Sequence, residues 1–474
     1  MNALSTGTTL ILGGGISGLS LAWFLHQRGH SVRLLDADPR PGGSIRTDRD
    51  QGYQVELGPN STLQKPGDVD DALGRLVNEL GIQDRLIEAN PIAAKRYVMH
   101  KGRLKALPDS LPAFIRTMIF SPSAKLRLLA EPLIGWVDHE EPVAEFVKRR
   151  LGREFLDYAI EPFISGVYAG DPRSLSVQAA AAKVYKLEQS WGSLIVGAIM
   201  TGKANKAMGT PRGRLVTFDA GMELLPATIV ARLPAGTVRG DTEVISVRPA
   251  ESGWQVEWKS AQDERGLEVA ERVVLAMPAH AAAKVLFASL PAASLVLANI
   301  AYAPIASTAL GFTRDQVTHP LDGFGFLLPR RERVRLLGAL FSSSLFPDRA
   351  PAQKVLLTSF IGGAMDHRAL TMPIPALEAR IKKDLADCLG IHGEADFFRM
   401  TRYQMAIPQY NVGHLGRIKT LDGLLKSHPG IYTRANWRDG ISVSDCVLNA
   451  EKLAKRLNGE LPEESEEEEE GNGA

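Results

Sequence analysis

Apolar and polar positions along the chain predict a strand, a helix and a second strand at the start. Thr8-Thr9-Leu10-Ile11-Leu12 is a short apolar run. Leu19, Ala22, Trp23 and Leu25 then recur at helical spacing, and Gly29 closes the helix. Val32-Arg33-Leu34-Leu35 forms the second strand and ends at Asp36. From Asp68 to Leu80 the residues Val69, Leu73, Leu76, Val77 and Leu80 share one helical face, with Gly81 as the stop. Residues 95–108 read as a hairpin turning at Lys101-Gly102, and the pattern from Leu111 to about Met208 is mostly helical. Within it, Glu161 to Pro172 ends one helix in an irregular, glycine-bearing turn. The basic stretch Lys203 to Arg214, with Gly209, Pro211 and Gly213, reads as a loop.

Structure resumes at Thr217 to Met222 and leads into a helix from Leu224 to Leu233. Thr242–Val247, Trp254–Trp258 and Glu268–Leu275 alternate in the strand manner and predict an antiparallel meander. Its last part, Arg272 to Leu275, is apolar enough to re-enter a buried sheet. A helix over Pro291–Ile300 precedes strands at Ser307–Phe312, Phe324–Leu328, Leu336–Phe341 and Val355–Ile361, with one helix at Pro375–Leu389. This is a sheet layer able to floor a cavity. Gly430 to Thr433 is a late strand, and a helix begins near Ser444 with Val447, Ala450, Leu453, Ala454 and Leu457 inward.

The chemistry starts in the first turn. Gly13-Gly14-Gly15-Ile16-Ser17-Gly18 lies between a strand and a helix, and Asp36 follows 18 residues after Gly18. This is a dinucleotide fingerprint in its required context. Gly13 permits a tight turn, Gly15 admits a pyrophosphate at the positive helix end, and Gly18 lets helix and strand pack closely. Asp36 can accept hydrogen bonds from a ribose diol. A second glycine doublet, Gly42-Gly43, lies in Ala37 to Thr47, and Gly52 to Ser61 ends in Gly58-Pro59-Asn60-Ser61. These additions favour FAD over NAD. A helix N-terminus after Gly440-Ile441-Ser442-Val443 suits the negative charge that a reduced flavin carries.

Two or three domains are expected of 474 residues. The fold class is α/β: a discontinuous Rossmann-like FAD-binding domain (1–94, 211–280 and 410–459), a helical domain (95–210) covering the substrate cavity, and a mixed-sheet substrate domain (281–409). Residues 460–474 hold eight Glu and no Lys or Arg, so a disordered acidic tail is expected. Net charge is +1 overall and about +9 for the body, which suits anionic substrates or an anionic membrane. Basic residues are scattered, and no nucleic-acid-binding module is visible. Cys388 and Cys446 are the two cysteines, so neither a metal site nor a disulfide framework is expected. Val285 to Phe312 lacks charge, but Pro291 and Pro304 break it, and no membrane span is expected there. No leader is apparent, and the site of action is expected to be cytoplasmic. Phe114 to Phe120, followed by Lys125 and Arg127, has two readings: a helix peripheral on a membrane, or a helix covering an internal pocket.

These stretches resemble the flavin amine oxidase and protoporphyrinogen oxidase superfamily. Asp36 stands where its members more often have Glu. The most specific likeness is to the oxygen-dependent, FAD-containing protoporphyrinogen oxidases, across about Thr9 to Leu457. It is carried by Gly323 to Pro329, Leu337 to Ser343, Ile407 to His414 and Ser444-Asp445-Cys446. The resemblance implies non-covalent FAD, a porphyrinogen substrate, O2 as acceptor and peroxide as by-product. Three two-electron steps would aromatise the ring, with no catalytic side chain needed beyond the flavin. It also implies that Arg96 holds a propionate, Gly166 lines the cavity, and Leu327, Leu340 and Phe360 lie against the macrocycle. FAD would be held around Gly13 to Gly18, Asp36, Ala37, Gly43, Ser44, Gly58, Pro59, Asn60, Ser61, Val244, Ile441, Ser442 and Val443. Ser165 is a small neutral residue where some members have a larger or charged one. Coproporphyrinogen III is the alternative substrate, an amine oxidase or carotenoid desaturase the more distant alternative, and a homodimer is left open.

Overall fold

The computed structural model describes residues 7–65, 71–207 and 213–462. At its centre is a five-stranded parallel sheet in the order Val238–Arg239, Val32–Leu35, Thr9–Leu12, Arg272–Leu275 and Ile431–Thr433. Its strands come from three distant stretches of chain. Leu10, Ile11 and Leu12 are all fully buried, because helices or strands cover both faces. Ile11, Leu34 and Val274 pack with the helices Ile16–Gln27 and Val443–Leu457. Leu10, Leu12, Leu35 and Leu275 pack on the other side with the meander and the helices Ala279–Leu286 and Pro291–Ala298. Continuous apolar runs rather than alternation are what a parallel sheet requires.

The meander is antiparallel, over Thr242–Pro249, Trp254–Ser260 and Arg265–Ala270. The expected single strand Glu268–Leu275 is two. The chain breaks at Glu271, and Arg272–Leu275 enters the parallel sheet beside Thr9–Leu12.

A seven-stranded mixed sheet forms the second layer, in the order Phe397–Pro408, Tyr302–Thr313, Lys354–Gly362, Leu336–Leu340, Gly325–Leu327, Tyr97–His100 and Arg103–Ala106. The hairpin, read from sequence as part of the helical segment, is its edge. Tyr97–His100 pairs in parallel with Gly325–Leu327. Lys101 and Gly102 have φ of 54° and 72°, the left-handed pair that a two-residue hairpin turn needs. Helix Ile374–Leu389 covers one sheet face through Leu377, Ile381 and Leu385, which pack with Phe326, Leu357 and Ile361.

Residues 111–207 are mostly helical, as the pattern predicts. Lys203 to Ala207, expected in a loop, instead end the helix Leu194–Ala207; residues 208–212 lie outside the described residues. The expected helix from Asp68 is described from Ala72 to Glu79, capped by Asp71, and Val69 lies outside the described residues. Glu460 pairs with Arg28, and the tail from residue 463 lies outside them. Among the described residues no helix is long and apolar enough to cross a membrane. The uncharged stretch 285–312 folds into the end of one helix, a second helix and a strand.

Candidate active site

The first glycine turn is built for close approach. A Cβ on Gly18 would lie 2.0 Å from the Gly13 carbonyl oxygen, and one on Gly13 would lie 2.8 Å from the backbone of Ala276. These two glycines let strand and helix pack. Gly15 is different: a Cβ there would meet nothing within 4 Å, so its missing side chain serves no contact within the chain. Ile16 and Ser17 begin the helix behind it, both buried.

Asp36 closes the turn from the next strand. Its carboxylate accepts the Gly14 N–H and, at 2.7 Å, the Asp38 N–H. Burial raises its pKa, while the two backbone donors and Arg46 oppose the rise. Ala37, one residue on, is exposed. Gly42 donates to the Gly14 carbonyl at 2.8 Å, and a Cβ on Gly43 would sit 3.3 Å from the Gly15 Cα. The two glycine turns are therefore stacked, with Gly43 and Ser44 exposed beside Gly15. Gly58 approaches the same loop so closely that a Cβ would fall 1.9 Å from the Ser44 carbonyl. Gly58, Pro59, Asn60 and Ser61 are all partly exposed along one run. Val244 lies at a bulge of the meander with its side chain in the core cluster of Leu12 and Leu35, which leaves its backbone for any contact.

The helix Val443–Leu457 starts beside this region. The Ser442 hydroxyl caps it, accepting the Asp445 N–H at 3.1 Å. Val443 is buried against the first helix, whereas Ile441 packs with the helical segment.

The second half of the site is one face of the seven-stranded sheet. Paired residues on neighbouring strands share a face. Val98 pairs with Leu327, Leu327 with Gly338, and Gly338 with Phe360. Leu340 lies two residues beyond Gly338, and Arg96 two before Val98. Arg96, Leu327, Leu340 and Phe360 therefore sit on the same side, opposite the face that helix Ile374–Leu389 covers. Helix Glu161–Tyr168 crosses this side, and a Cβ on Gly166 would lie 2.6 Å from Leu327 Cδ2. Asn60 and Leu340 line one small cavity, which joins the glycine-rich half to the sheet half.

Arg96 is exposed at the rim, its guanidinium carbon 5.3 Å from the centre of the Phe324 ring. Among the described residues no carboxylate pairs with it. Its neighbours point the other way: Lys95 pairs with Asp322, and the Tyr97 hydroxyl donates to Asp322 at 2.6 Å.

Two features of the surroundings were not read from the sequence. Glu56 and Arg349 form a buried pair at 2.7 Å, tied to Thr47, Thr217 and the Met222 N–H. Burial pushes the Glu56 carboxyl up, and Arg349 opposes this. Tyr403, paired in register with Ile305, packs near Phe360, and burial raises its phenol pKa. Arg349 and Tyr403 lie outside the glycine stretches, and Glu56, although within Gly52 to Ser61, carries no local sign of its distant partner.

Comparison with known proteins decides the family. The description "flavin containing amine oxidoreductase" matches residues 16–458. The chain belongs to that family. Its cofactor is accordingly FAD. Protoporphyrinogen oxidase 2, chloroplastic/mitochondrial, of Arabidopsis thaliana is 30% identical, with 96% of this chain and 94% of that protein covered. Coproporphyrinogen III oxidase of Bacillus subtilis (strain 168) is 29% identical, over 92% of this chain and 95% of that protein. Among solved structures, a protein of Exiguobacterium sp. 255-15, assigned provisionally as a protoporphyrinogen oxidase, superposes with a TM-score of 0.81 at 24% identity, covering 97% of this chain and all of that one. The cyclohexylamine oxidase of Brevibacterium oxydans IH-35A has the same fold, with a TM-score of 0.68 at 16% identity and 96% of this chain covered. The flavin oxidoreductase reading of the sequence is borne out.

Proposed function

We propose that this protein oxidises protoporphyrinogen IX to protoporphyrin IX, with FAD as its redox group and O2 as the final acceptor. The observation that carries this is the sheet face: Leu327, Leu340 and Phe360 share one side, and Arg96, a cation with no carboxylate partner among the described residues, stands at its rim. A largely apolar macrocycle of linked pyrroles with a few carboxylates at its edge fits such a surface. Coproporphyrinogen III, which carries more carboxylates, is the second reading, and the 29% identity to the Bacillus subtilis enzyme supports it.

FAD, when bound, accepts hydride from the substrate and passes the electrons to oxygen. The chain's own residues bind and orient. Gly15, Gly43 and Ser44 leave room beside the first helix N-terminus, whose free N–H groups suit the pyrophosphate. Asp36 accepts from a ribose. The run Gly58–Ser61 and the turn Ile441–Val443 hold the rest, and the Val244 backbone meets the far end. Leu327, Leu340 and Phe360 exclude water from the ring, Gly166 leaves width for it, and Arg96 fixes a propionate by a charged, bidentate pair. Aromatisation of the product drives the reaction: three hydrides leave bridge carbons, the three accompanying protons leave two pyrrole N–H groups and the fourth bridge carbon for solvent, and no side chain is assigned to carry them.

The helical segment supports a peripheral membrane contact. Leu111, Ile115, Met118, Leu126, Leu129, Leu133 and Trp136 are each more than 60% exposed, and Arg116, Lys125 and Arg127 lie among them. Several exposed apolar side chains beside cations fit an anionic lipid surface.

Aerobic incubation with protoporphyrinogen, coproporphyrinogen and a simple amine, each followed against a no-enzyme control, tests the reading. Porphyrin fluorescence should rise fastest with protoporphyrinogen. A faster rise with coproporphyrinogen selects the second reading, and turnover of the amine alone removes both.

A further inference from the structure

The stretch Gln409 to His414 is among the most specific in the sequence, yet nothing in the proposed reaction uses it. Tyr410 is 4% exposed and sits between the helical segment and the turn that leads into the last helix. Its hydroxyl donates to the Asn436 carbonyl at 2.5 Å and accepts the Gly440 N–H at 2.7 Å. Its ring stacks on His414 at 4.3 Å and 10°. His414 Nε2 lies 3.3 Å from the Arg438 carbonyl. Two adjacent side chains thus grip the loop 436–440 at three backbone atoms.

That loop is under constraint at its end. Gly440 has φ of 145°, and a Cβ there would lie 2.4 Å from the Asp445 Cβ. On the other side, the backbone of the stretch is bound to the helical segment. Ser176 donates to the Tyr410 carbonyl at 2.8 Å, Val412 to that of Ser174 at 2.9 Å, and Gly413 to the Glu140 carboxylate at 2.8 Å. Gln409 Nε2 reaches the Tyr168 carbonyl at 2.9 Å, at the end of the helix carrying Gly166. Ile441 shares an apolar cluster with Tyr410, Val143, Phe146 and Leu175.

We propose that Tyr410 is a positioning residue for FAD: its hydroxyl fixes Gly440, and with it the Ile441–Val443 turn and the start of the last helix. The inference rests on the reading of that turn as an FAD contact. A hydroxyl bonded at both ends of a one-turn loop sets where the next backbone N–H groups stand, and a flavin held by those groups feels any shift. The same residue links the turn to the helices over the substrate face, so the cover and the cofactor share one anchor.

The Tyr410→Phe variant keeps the ring and its stack and removes only the hydroxyl. Protein stripped of FAD is titrated with FAD, and its melting temperature is taken without ligand. Tyr168→Phe serves as the control, since it deletes another hydroxyl of the same apolar cluster, one donated to the Ala180 carbonyl at 2.6 Å rather than to residues 436–440. Tyr410→Phe should weaken FAD binding about tenfold or more and shift the visible flavin spectrum, whatever its melting temperature. Tyr168→Phe should leave both unchanged. If Tyr410→Phe lowers the melting temperature but binds FAD as tightly as wild type with the same spectrum, the residue only packs and the inference is overturned. If wild-type protein takes up no FAD, the reading beneath it fails and takes the inference with it.

Discussion

Substitution of Gly15 separates a position kept free for a ligand from one kept free for the fold. Gly15 has φ −68° and ψ 174°, a conformation open to any residue, and a Cβ there meets nothing of the chain within 4 Å. The helix it precedes would lose less than about 1 kcal/mol from a changed cap. Gly18 offers the contrast, with 2.0 Å between a Cβ and the Gly13 carbonyl oxygen. Backbone cannot yield that far without opening the first turn. Against bound FAD, one intruding methyl at Gly15 should cost about 1–3 kcal/mol, the usual range for overpacking. That is about five- to 150-fold in Kd. Gly15→Val adds two further carbons and branching at Cβ, and should abolish binding. The assay is FAD titration of stripped protein together with thermal melting without ligand. Gly15→Ala and Gly15→Val should melt near wild type and fail by degrees to bind, whereas Gly18→Ala should be poorly folded from the start. A Gly15→Val protein purified yellow with its full complement of FAD would refute the assignment of this turn.

Arg96→Ala should keep FAD and fold yet lower kcat/KM for the porphyrinogen about tenfold to a hundredfold, the value of a charged hydrogen bond of about 1.5–3 kcal/mol. Arg96→Lys should recover part of it, and Lys95→Ala, which leaves Asp322 with the Tyr97 hydroxyl, should be close to wild type; the reverse pattern would move the anchor to the other face of the strand. Liposomes of anionic lipid should co-sediment the protein at low salt and less at high salt, while replacing Leu126 and Leu129 with Ser should reduce recovery in the pellet. Burial holds the His414 imidazole down at about 4. It is neutral above pH 6.5 in folded and unfolded chain alike, so it carries no penalty there. Between pH 6.5 and 4 the unfolded state alone takes up the proton, and stability falls by up to about 1.4 kcal/mol per pH unit. The His414→Phe variant should show a shallower fall in melting temperature over that window, and equal slopes would exclude His414 as a source.

Four strands of the parallel sheet, the glycine turns and the last helix were legible in the sequence because each is set by its own residues; the fifth, Val238–Arg239, is two half-buried residues at the sheet's edge and was not read. A strand buried on both faces writes a continuous apolar run, and a phosphate-binding turn writes its glycines. Phe397–Pro408 was missed for the opposite reason. It is an edge strand with Arg399 and Arg402 along it, and Arg399 pairs with Asp48 and Asp50 from another strand. Such cations protect an edge and hide the alternation. Lys203 to Ala207 looked like a loop because the basic run and nearby glycines outweighed the apolar Leu194 to Met200 that leads into it. The buried Arg150 with Glu131 and Glu188, and Arg349 with Glu56, left no local trace at all. Their partners meet only when the fold is complete. In the same way, the likeness of Leu327, Leu340 and Phe360 to ring-contacting residues was visible, but their common face follows from strand register alone.

Whether a porphyrinogen delivers its electrons directly to the FAD held by this chain is tested by an anaerobic titration. Oxygen-free protein, loaded with FAD, is mixed with increments of protoporphyrinogen while the yellow absorbance is followed. Since three two-electron steps lie between the porphyrinogen and the porphyrin, full bleaching should require about one third of a molar equivalent, with porphyrin appearing in step. Admitting air should restore the colour and produce peroxide. Absorbance that stays unchanged while a simple amine bleaches it would contradict the account.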